Sequence, residues 1–157
     1  MKFEKEISVS VSPQRVWAFL WDVERVARCL PGCRDVRTIV PQERYEAVVS
    51  ERVGPFKVQF PLEIQVLDAE EPHRLKAVAS GRDASVGSSL KVILDLHIER
   101  AETGSRLVIA SDARILGKLG TLGHSIIQHK ADGIMTQFAQ SIRQELEAGG
   151  ETRASGV

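Results

Sequence analysis

The sequence has few aromatic residues, few cysteines and no excess of charge of either sign. Its 157 residues include 5 Phe, 2 Trp and 1 Tyr, so any core must be mostly aliphatic. Lys and Arg together number 21, as do Asp and Glu, which gives a formal net charge of zero. A zero balance argues against a dedicated nucleic-acid-binding protein and against attachment to anionic lipid by charge alone. The composition, 43% hydrophobic and 27% charged, is ordinary for one soluble domain.

Long apolar runs are also absent. No segment approaches the roughly 18 to 20 apolar residues that span a bilayer. The start, MKFEKEISVS, mixes both charge signs and lacks the apolar stretch of a signal peptide, so we expect a cytoplasmic protein. The two cysteines, Cys29 and Cys33, fit a reducing compartment without structural disulfides. Their spacing is wider than that of common redox or zinc motifs, which leaves two interpretations: small residues that pack a turn, or a reactive thiol pair.

The pattern of apolar residues predicts a strand, two short helices, six strands and one long helix. FEKEISVSV alternates as a strand does. Ser12 and Pro13 are typical of a helix start, and Asp22 is suited to cap a second short helix that ends at Pro31. Period-two segments predict strands at 34–40, 44–53, 56–67, 74–83, 88–100 and 105–115. A helical period then runs from about Lys118 to Ala148, and Gly149 and Gly150 are expected to end it.

This order of elements predicts an α+β fold. Successive strands with one apolar face and short loops form an antiparallel meander. Two short helices cannot cover seven strands, so we expect the long C-terminal helix to lie over the concave face of a curved sheet. Small residues recur at Ala77, Ala79, Gly81 and Gly133, which indicates either close backbone packing or room for a bound molecule.

Three segments carry a family resemblance: VWAFLWDVERVARCLPGC, then ERVGPFKVQF, then DARILGKLGTLGHSIIQHKADGIMTQFAQSIRQEL. Over about residues 2–147 the sequence resembles the START-like helix-grip superfamily (SRPBCC). Within that superfamily it is similar to the CoxG family, the G subunit of carbon monoxide dehydrogenase. The resemblance implies one START-like domain over residues 1–148, followed by a tail, 149–157, that its small polar residues predict to be disordered.

The resemblance also implies a function. Members of the family are non-catalytic accessory proteins with a hydrophobic cavity, associated with molybdenum-containing carbon monoxide dehydrogenases. The expected partners are therefore a hydrophobic small molecule, such as a quinone or lipid, and an enzyme of that type. Many members carry an extended C-terminal membrane-associating region, whereas this sequence stops at Val157 with a polar tail. We accordingly expect contact with the inner face of the membrane to be peripheral at most, and we expect no nucleic acid and no cofactor.

The predicted ligand-binding residues point inward by strand parity, lie on the apolar face of the long helix, or belong to the two short helices. One member, Glu51, is a carboxylate that shares a strand face with apolar residues and could orient a ligand. The gate would be formed by Trp17, Trp21 and Leu30. The lining would comprise Val49, Glu51, Phe56, Val58, Phe60, Leu94, Ile109, Ile127, Ile134 and Phe138.

Two other functions remain open at this level. A polyketide cyclase or dehydratase-like enzyme would use the same cavity, with polar groups among Tyr45, Glu51, Ser111 and Gln137 facing inward. A pure assembly factor would instead have a collapsed, dry core. No nucleophile motif is present, so no catalytic residue is predicted. The four histidines, His73, His97, His124 and His129, have no metal-binding spacing, so no metal site is predicted.

Overall fold

A computed structural model describes the backbone of residues 1–155 and the side chains of residues 1–148. The elements follow the predicted order, with a short 3-10 helix (Lys118–Leu122) inserted before the last helix. They are β1 (Lys2–Val9), α1 (Pro13–Leu20), α2 (Val23–Cys29), β2 (Cys33–Val40), β3 (Arg44–Val53), β4 (Phe56–Glu70), β5 (Arg74–Asp83), β6 (Ser88–Ala101), β7 (Gly104–Gly117) and α3 (His124–Ser155).

The seven strands form one curved antiparallel sheet in the order β1-β7-β6-β5-β4-β3-β2. Strands β2 to β7 are a meander, and β1 joins its far edge by pairing with β7. This confirms the predicted fold class. β4 and β7 are longer than predicted because their ladders continue into the adjoining turns, as far as Glu70 and Gly117.

The strand parity read from the sequence is also confirmed. Along β6, Leu94, Leu96 and Ile98 lie opposite Ser111, Ile109 and Leu107 of β7. We call the face that carries these residues the inner face, because Ile98, Leu107 and Ile109 are buried there in one cluster with side chains from the helices. His97, on the other face, is exposed as its alternation predicts.

The two short helices begin where the sequence indicates. Ser12 caps α1 by accepting a hydrogen bond from the Arg15 amide at 3.3 Å, and Pro13 occupies the first helical turn. Asp22 stands at the N-cap of α2, but its side chain makes no capping hydrogen bond. The predicted position is therefore correct, but the side-chain cap is absent; the Asp22 carbonyl accepts the first helical hydrogen bond, from the Val26 amide at 3.0 Å.

Both ends of the long helix differ from the prediction. Residues 118–122 form the 3-10 helix, and Gly123, with a φ of 95° that L side chains rarely adopt, separates it from α3. The backbone stays helical beyond Gly149 to Ser155, since glycine lowers helix propensity by about 1 kcal/mol without blocking a hydrogen bond. Residues 156 and 157 lie outside the described residues, so the domain boundary at 148 and the disordered tail stay predictions.

The core consists of two separate clusters. The first core cluster joins β1, α1, β6 and β7 to the second half of α3 and includes Val16, Leu107, Ile109 and Ile142. The second core cluster lies at the β3–β4 hairpin and the 3-10 helix. It comprises Val53, Val58, Phe60, Leu62 and Leu119. Between the two clusters, Ala79, Val92 and Ala113 of the inner face belong to neither, while Ile64 packs against the second core cluster.

The second half of α3 is tied to β1 through a carboxylate. The Ser10 amide donates to Glu147 Oε1 at 2.6 Å, and the Ser10 hydroxyl donates to Oε2. These hydrogen bonds stabilise the ionised form and hold the pKa of Glu147 below its usual range. The carboxylate thereby anchors the helix end at the edge of the sheet.

We predict that Glu147→Gln lowers the free energy of unfolding at neutral pH by about 1 kcal/mol, because charge-assisted hydrogen bonds are lost. A depressed folded-state pKa stabilises the protein above the usual carboxyl value of about 4.3 and loses this effect as the pH falls through the folded value. The difference in the free energy of unfolding between wild type and variant should therefore narrow below about pH 4. Urea unfolding at several pH values measures this difference, and the exposed Glu102→Gln is the control. A difference that does not change with pH would contradict the role given to the ionised Glu147.

Gly32 lets the loop between α2 and β2 lie directly on β3. Its φ is 75°, and a Cβ there would come within 2.1 Å of the Ser50 carbonyl oxygen. The Ser50 amide donates to the Gly32 carbonyl at 3.0 Å. The segment CLPGC is thus fixed against the strand that carries Glu51.

We predict that Gly32→Ala destabilises the protein more than Gly87→Ala does. Gly87 also has a positive φ, 65°, but a Cβ there meets nothing within 4 Å. The control should lose about 1 kcal/mol from backbone strain alone, and Gly32→Ala should lose at least about 1 kcal/mol more from the steric clash. Equal losses in thermal or urea unfolding would show that the contact with β3 is unimportant.

Candidate functional site

A row of small or half-buried apolar residues crosses the middle of the inner face. Ile64, Ala79, Val92 and Ala113 are direct neighbours on β4, β5, β6 and β7, and we call them the middle row. All four are partly exposed, although each sits on a strand with hydrogen-bonded strands on both sides. Apolar side chains at the centre of a sheet are normally covered, so their partial exposure makes the middle row a candidate ligand-facing surface.

The position of α3 bears on this partial exposure. The helix packs most closely on β1 and also contacts α2, the 3-10 helix and β3. Its approaches to β4, β5, β6 and β7, which lie between β1 and β3 in the sheet, are sparser. The second half of α3 packs on the sheet through Phe138, Ala139, Ile142 and Leu146 of the first core cluster, whereas Ala79, Val92 and Ala113 of the middle row belong to neither cluster. We call the region between these three residues and the first half of α3 the groove.

The predicted lining residues fall on both sides of this groove. Trp17, Ile109 and Phe138 are buried in the first core cluster, and Trp21, Leu30 and Leu94 pack against it. Val58 and Phe60 are buried in the second core cluster, and Val49 and Phe56 pack against it. Ile127 is buried and Ile134 half-buried on α3. The function of these residues as a ligand site stays a prediction.

Sequence reasoning noticed part of the middle row without assigning it to the site. Ala79 stood out as a small residue, whereas Val92 and Ala113 had only the parity signal. Gly81 supports the other interpretation, close backbone packing, because a Cβ at this position would come within 2.2 Å of the Pro61 carbonyl oxygen. Gly133 fits neither interpretation because it is exposed and faces open space.

The predicted gate contains a pair of tryptophans. The rings of Trp17 and Trp21 meet edge to face, with centroids 5.7 Å apart and planes at 86°. Trp17 is buried, while Trp21 and Leu30 are half-buried. The pair attaches α1 to the first core cluster, and movement of this region as a gate stays a prediction.

Glu51 forms an ion pair with α3. Its Oε2 lies 2.9 Å from Lys130 Nζ, with the two side chains 17% and 38% exposed. Glu51 faces inward because it shares the parity of Tyr45 and Val53 and lies opposite Val58. Lys130 was missed by the sequence analysis, although its spacing from Ile127 and Ile134 places it beside the apolar stripe of the helix.

The other predicted inward polar groups have different roles. Tyr45 is buried, and its hydroxyl accepts a hydrogen bond from the Gln42 amide at 2.7 Å, which stabilises the β2–β3 turn. Ser111 is buried on the inner face. Gln137 is exposed, so its inward prediction was wrong; the neighbouring Phe138 occupies the buried side of the helix instead.

The two cysteines favour the packing interpretation. Cys29 is buried and its thiol donates to the Arg25 carbonyl at 3.4 Å, while Cys33 is half-buried. Burial raises the pKa of both thiols, and nearby Glu145 raises that of Cys29 further. A raised pKa disfavours the nucleophilic thiolate.

The described residues offer neither a metal centre nor a membrane span. Within that part of the chain, no group of three or more His, Cys, Asp or Glu side chains is arranged to hold a metal ion. None of the helices described combines the length and the apolar composition that crossing a bilayer requires.

Solved structures share this architecture. A conserved protein from Geobacillus kaustophilus has a TM-score of 0.81 at 18% identity, covering 93% of this chain and 95% of that one. A protein from Thermus thermophilus has a TM-score of 0.72 at 14% identity, covering 95% and 99%. A protein from Chromobacterium violaceum has a TM-score of 0.67 at 14% identity, covering 93% and 97%. These similarities establish the START-like helix-grip fold.

The sequence itself identifies the family. No curated protein sequence matches the chain significantly. The family model for CoxG, described as the G subunit of carbon monoxide dehydrogenase, matches residues 6–147, which include the CLPGC loop, the β3–β4 hairpin and α3 as far as Glu147. That description denotes an accessory component rather than a catalytic one. The chain therefore belongs to the CoxG family of carbon monoxide dehydrogenase.

Proposed function

We propose that this protein is a non-catalytic accessory protein that binds a lipophilic molecule, a quinone or another lipid, in the groove between α3 and the sheet. In this role it serves a molybdenum-containing hydroxylase of the carbon monoxide dehydrogenase type. The partner follows from the family, and the ligand class follows from the groove. The protein acts in the cytoplasm, at most peripherally at the inner face of the membrane.

The single observation that carries this proposal is the half-exposed middle row beneath a helix that bridges it. Its members Ile64, Ala79, Val92 and Ala113 offer only apolar surface. A ligand that removes about 200 Å² of such surface from water gains about 5 kcal/mol. Clefts of this kind, mostly apolar with few polar groups, are typical of sites for hydrophobic small molecules.

The Trp17 and Trp21 region gives the proposed groove an entrance. Trp21 and Leu30 are half-buried at the border between the first core cluster and solvent. Side chains of this kind can cover a bound molecule without belonging to the fixed core. In the proposal they close over the ligand, as the sequence analysis expects of the gate.

We predict that Ala79→Phe abolishes ligand binding, because the larger ring fills the space above the middle row. Val78→Phe is the matched control: Val78 is the adjacent residue of the same strand, equally half-buried, on the opposite face. Native mass spectrometry after gentle purification should find wild type and control with an added lipophile and Ala79→Phe without one. Lipid-extract titration should reproduce this difference.

Two results of that experiment would reject the proposal. The first is a wild-type chain that carries no lipophile and takes up none from the extract. Such a chain that still co-purifies with hydroxylase subunits would be the assembly factor with a dry core. The second is equal lipophile content in Ala79→Phe and wild type, which would place any binding outside the groove.

A cyclase or dehydratase-like enzyme is the second candidate, and the Glu51–Lys130 pair favours it. Such chemistry needs at least two polar groups within hydrogen-bond reach of each other on the inner face, and this pair meets that condition at 2.9 Å. The ammonium could donate to a substrate carbonyl while the carboxylate accepts a proton. Tyr45 is a weaker participant because its hydroxyl stabilises a turn.

If the protein is such an enzyme, Glu51→Gln should lower kcat on a polyketide substrate by about 100-fold or more, the usual effect of losing a general base. Tyr45→Phe should change kcat little. The measurement is turnover of polyketide substrates by the full chain. Absence of turnover in wild type, or unchanged turnover in Glu51→Gln, would exclude this role for the carboxylate.

A further inference from the structure

We infer that the Glu51–Lys130 ion pair is the polar anchor of the groove and selects its ligand. It favours long-chain lipophiles with a neutral, hydrogen-bond-accepting head, such as a ketone or ester, over fatty-acid anions. This inference rests on the proposed function, because a polar anchor has meaning only if the groove holds a lipophile. It adds a specificity that apolar lining by itself cannot provide.

The position of the pair supports this role. Glu51 lies on the inner face of β3, opposite Val58, and Lys130 is on the second turn of α3, beside the half-buried Ala131. Lys130 precedes Ile134 by four residues, so both lie on the same side of the helix. The helix rises about 12 Å between Lys130 and Phe138. A ligand head at the pair would therefore leave its chain to run beneath Ile134 toward the first core cluster.

The charge of the pair determines the head group. Glu51 Oε2 takes one of the three N–H donors of the Lys130 ammonium, and the half-exposed lysine keeps the others for a ligand. A neutral carbonyl oxygen can accept one of them without changing the local charge. A carboxylate head would have to lose its hydration to reach an ammonium whose charge Glu51 already offsets, and the nearby Glu51 carboxylate would repel it. The existing pair therefore discriminates against anionic lipids.

The helix has a second ion pair on its opposite side, and this pair supplies a control. Lys5 Nζ of β1 lies 2.8 Å from Asp132 Oδ1 of α3. It links α3 to β1, where the helix packs most closely, whereas Glu51–Lys130 links it to β3. Removing either pair deletes one tether between helix and sheet. Only removal of the Glu51–Lys130 pair should change head-group preference.

The experiment uses the full chain at neutral pH with three probes: methyl pentadecyl ketone, palmitate and heptadecane. The first two share the same alkyl chain and differ in their heads. Wild type should bind the ketone about tenfold more tightly than palmitate, the effect of one hydrogen bond to a charged group. Titration calorimetry or displacement of a fluorescent lipophile gives the affinities.

The variants test the contributions of the Glu51 and Lys130 charges one at a time. Glu51→Gln leaves Lys130 uncompensated and should reverse the order, with palmitate gaining about tenfold or more. Lys130→Met should reduce ketone affinity to that of heptadecane. The double variant Glu51→Lys with Lys130→Glu keeps a neutral pair and should restore the wild-type order even if a single variant fails to fold. Lys5→Met should leave the order unchanged.

The outcomes distinguish the inference from the function on which it rests. If none of the three probes binds wild type, the proposed function fails and the inference fails with it. If the probes bind wild type without head preference, or Glu51→Gln leaves the preference unchanged, the groove function stands and the anchor is refuted. A change of preference in Lys5→Met equal to that in Glu51→Gln would also refute it, because the effect would then come from loosening the helix.

Discussion

The structure depends on one geometric constraint: a straight helix cannot follow a twisted, curved sheet across its whole width. Here α3 packs on β1 and contacts β3, while the sheet order places β7, β6, β5 and β4 between those two strands. The helix therefore spans the central strands. Large side chains could have filled the gap, but the middle row has Ala79 and Ala113 at two of its four positions. The result is two core clusters, with the partly exposed Ala79, Val92 and Ala113 of the inner face in neither of them.

Polar contacts at the periphery compensate for the sparse packing at the centre. Glu147 ties the second half of α3 to Ser10, and ion pairs link the first half to Lys5 on one side and Glu51 on the other. Exposed or half-exposed pairs of this kind contribute about 1 kcal/mol or less each. They add to the apolar contacts of Phe138, Ala139, Ile142 and Leu146, which hold the second half of α3 against the first core cluster.

The same arrangement gives the proposed site its directionality. Apolar lining attracts any lipophile in proportion to buried area and does not orient it. A single polar group at one end of the groove is enough to define a head and a tail. Glu51 belongs to the sheet and Lys130 to the helix, so the ion pair forms only when α3 is docked on the sheet.

Much of the fold was predictable from sequence, and the site was predictable only in part. Alternation along segments such as Leu90 to Ile98 predicts strands and identifies their inner side, because the side-chain period of a strand is fixed locally. The segments containing CLPGC and VGPF indicated the family. The inward position of Glu51 followed from parity, but its partner did not. Lys130 looks like an ordinary helix-surface lysine until the helix direction is known.

The sequence by itself therefore determined the order of the strands and main helices, the sheet face of the strand residues and the family, because these depend on local periodicity and short motifs. Only the tertiary structure decided which strands α3 contacts, which side of α3 carries Gln137, and that Lys130 meets Glu51. These features depend on how a rigid helix docks on a curved sheet, and that docking is set by contacts between residues far apart in the chain.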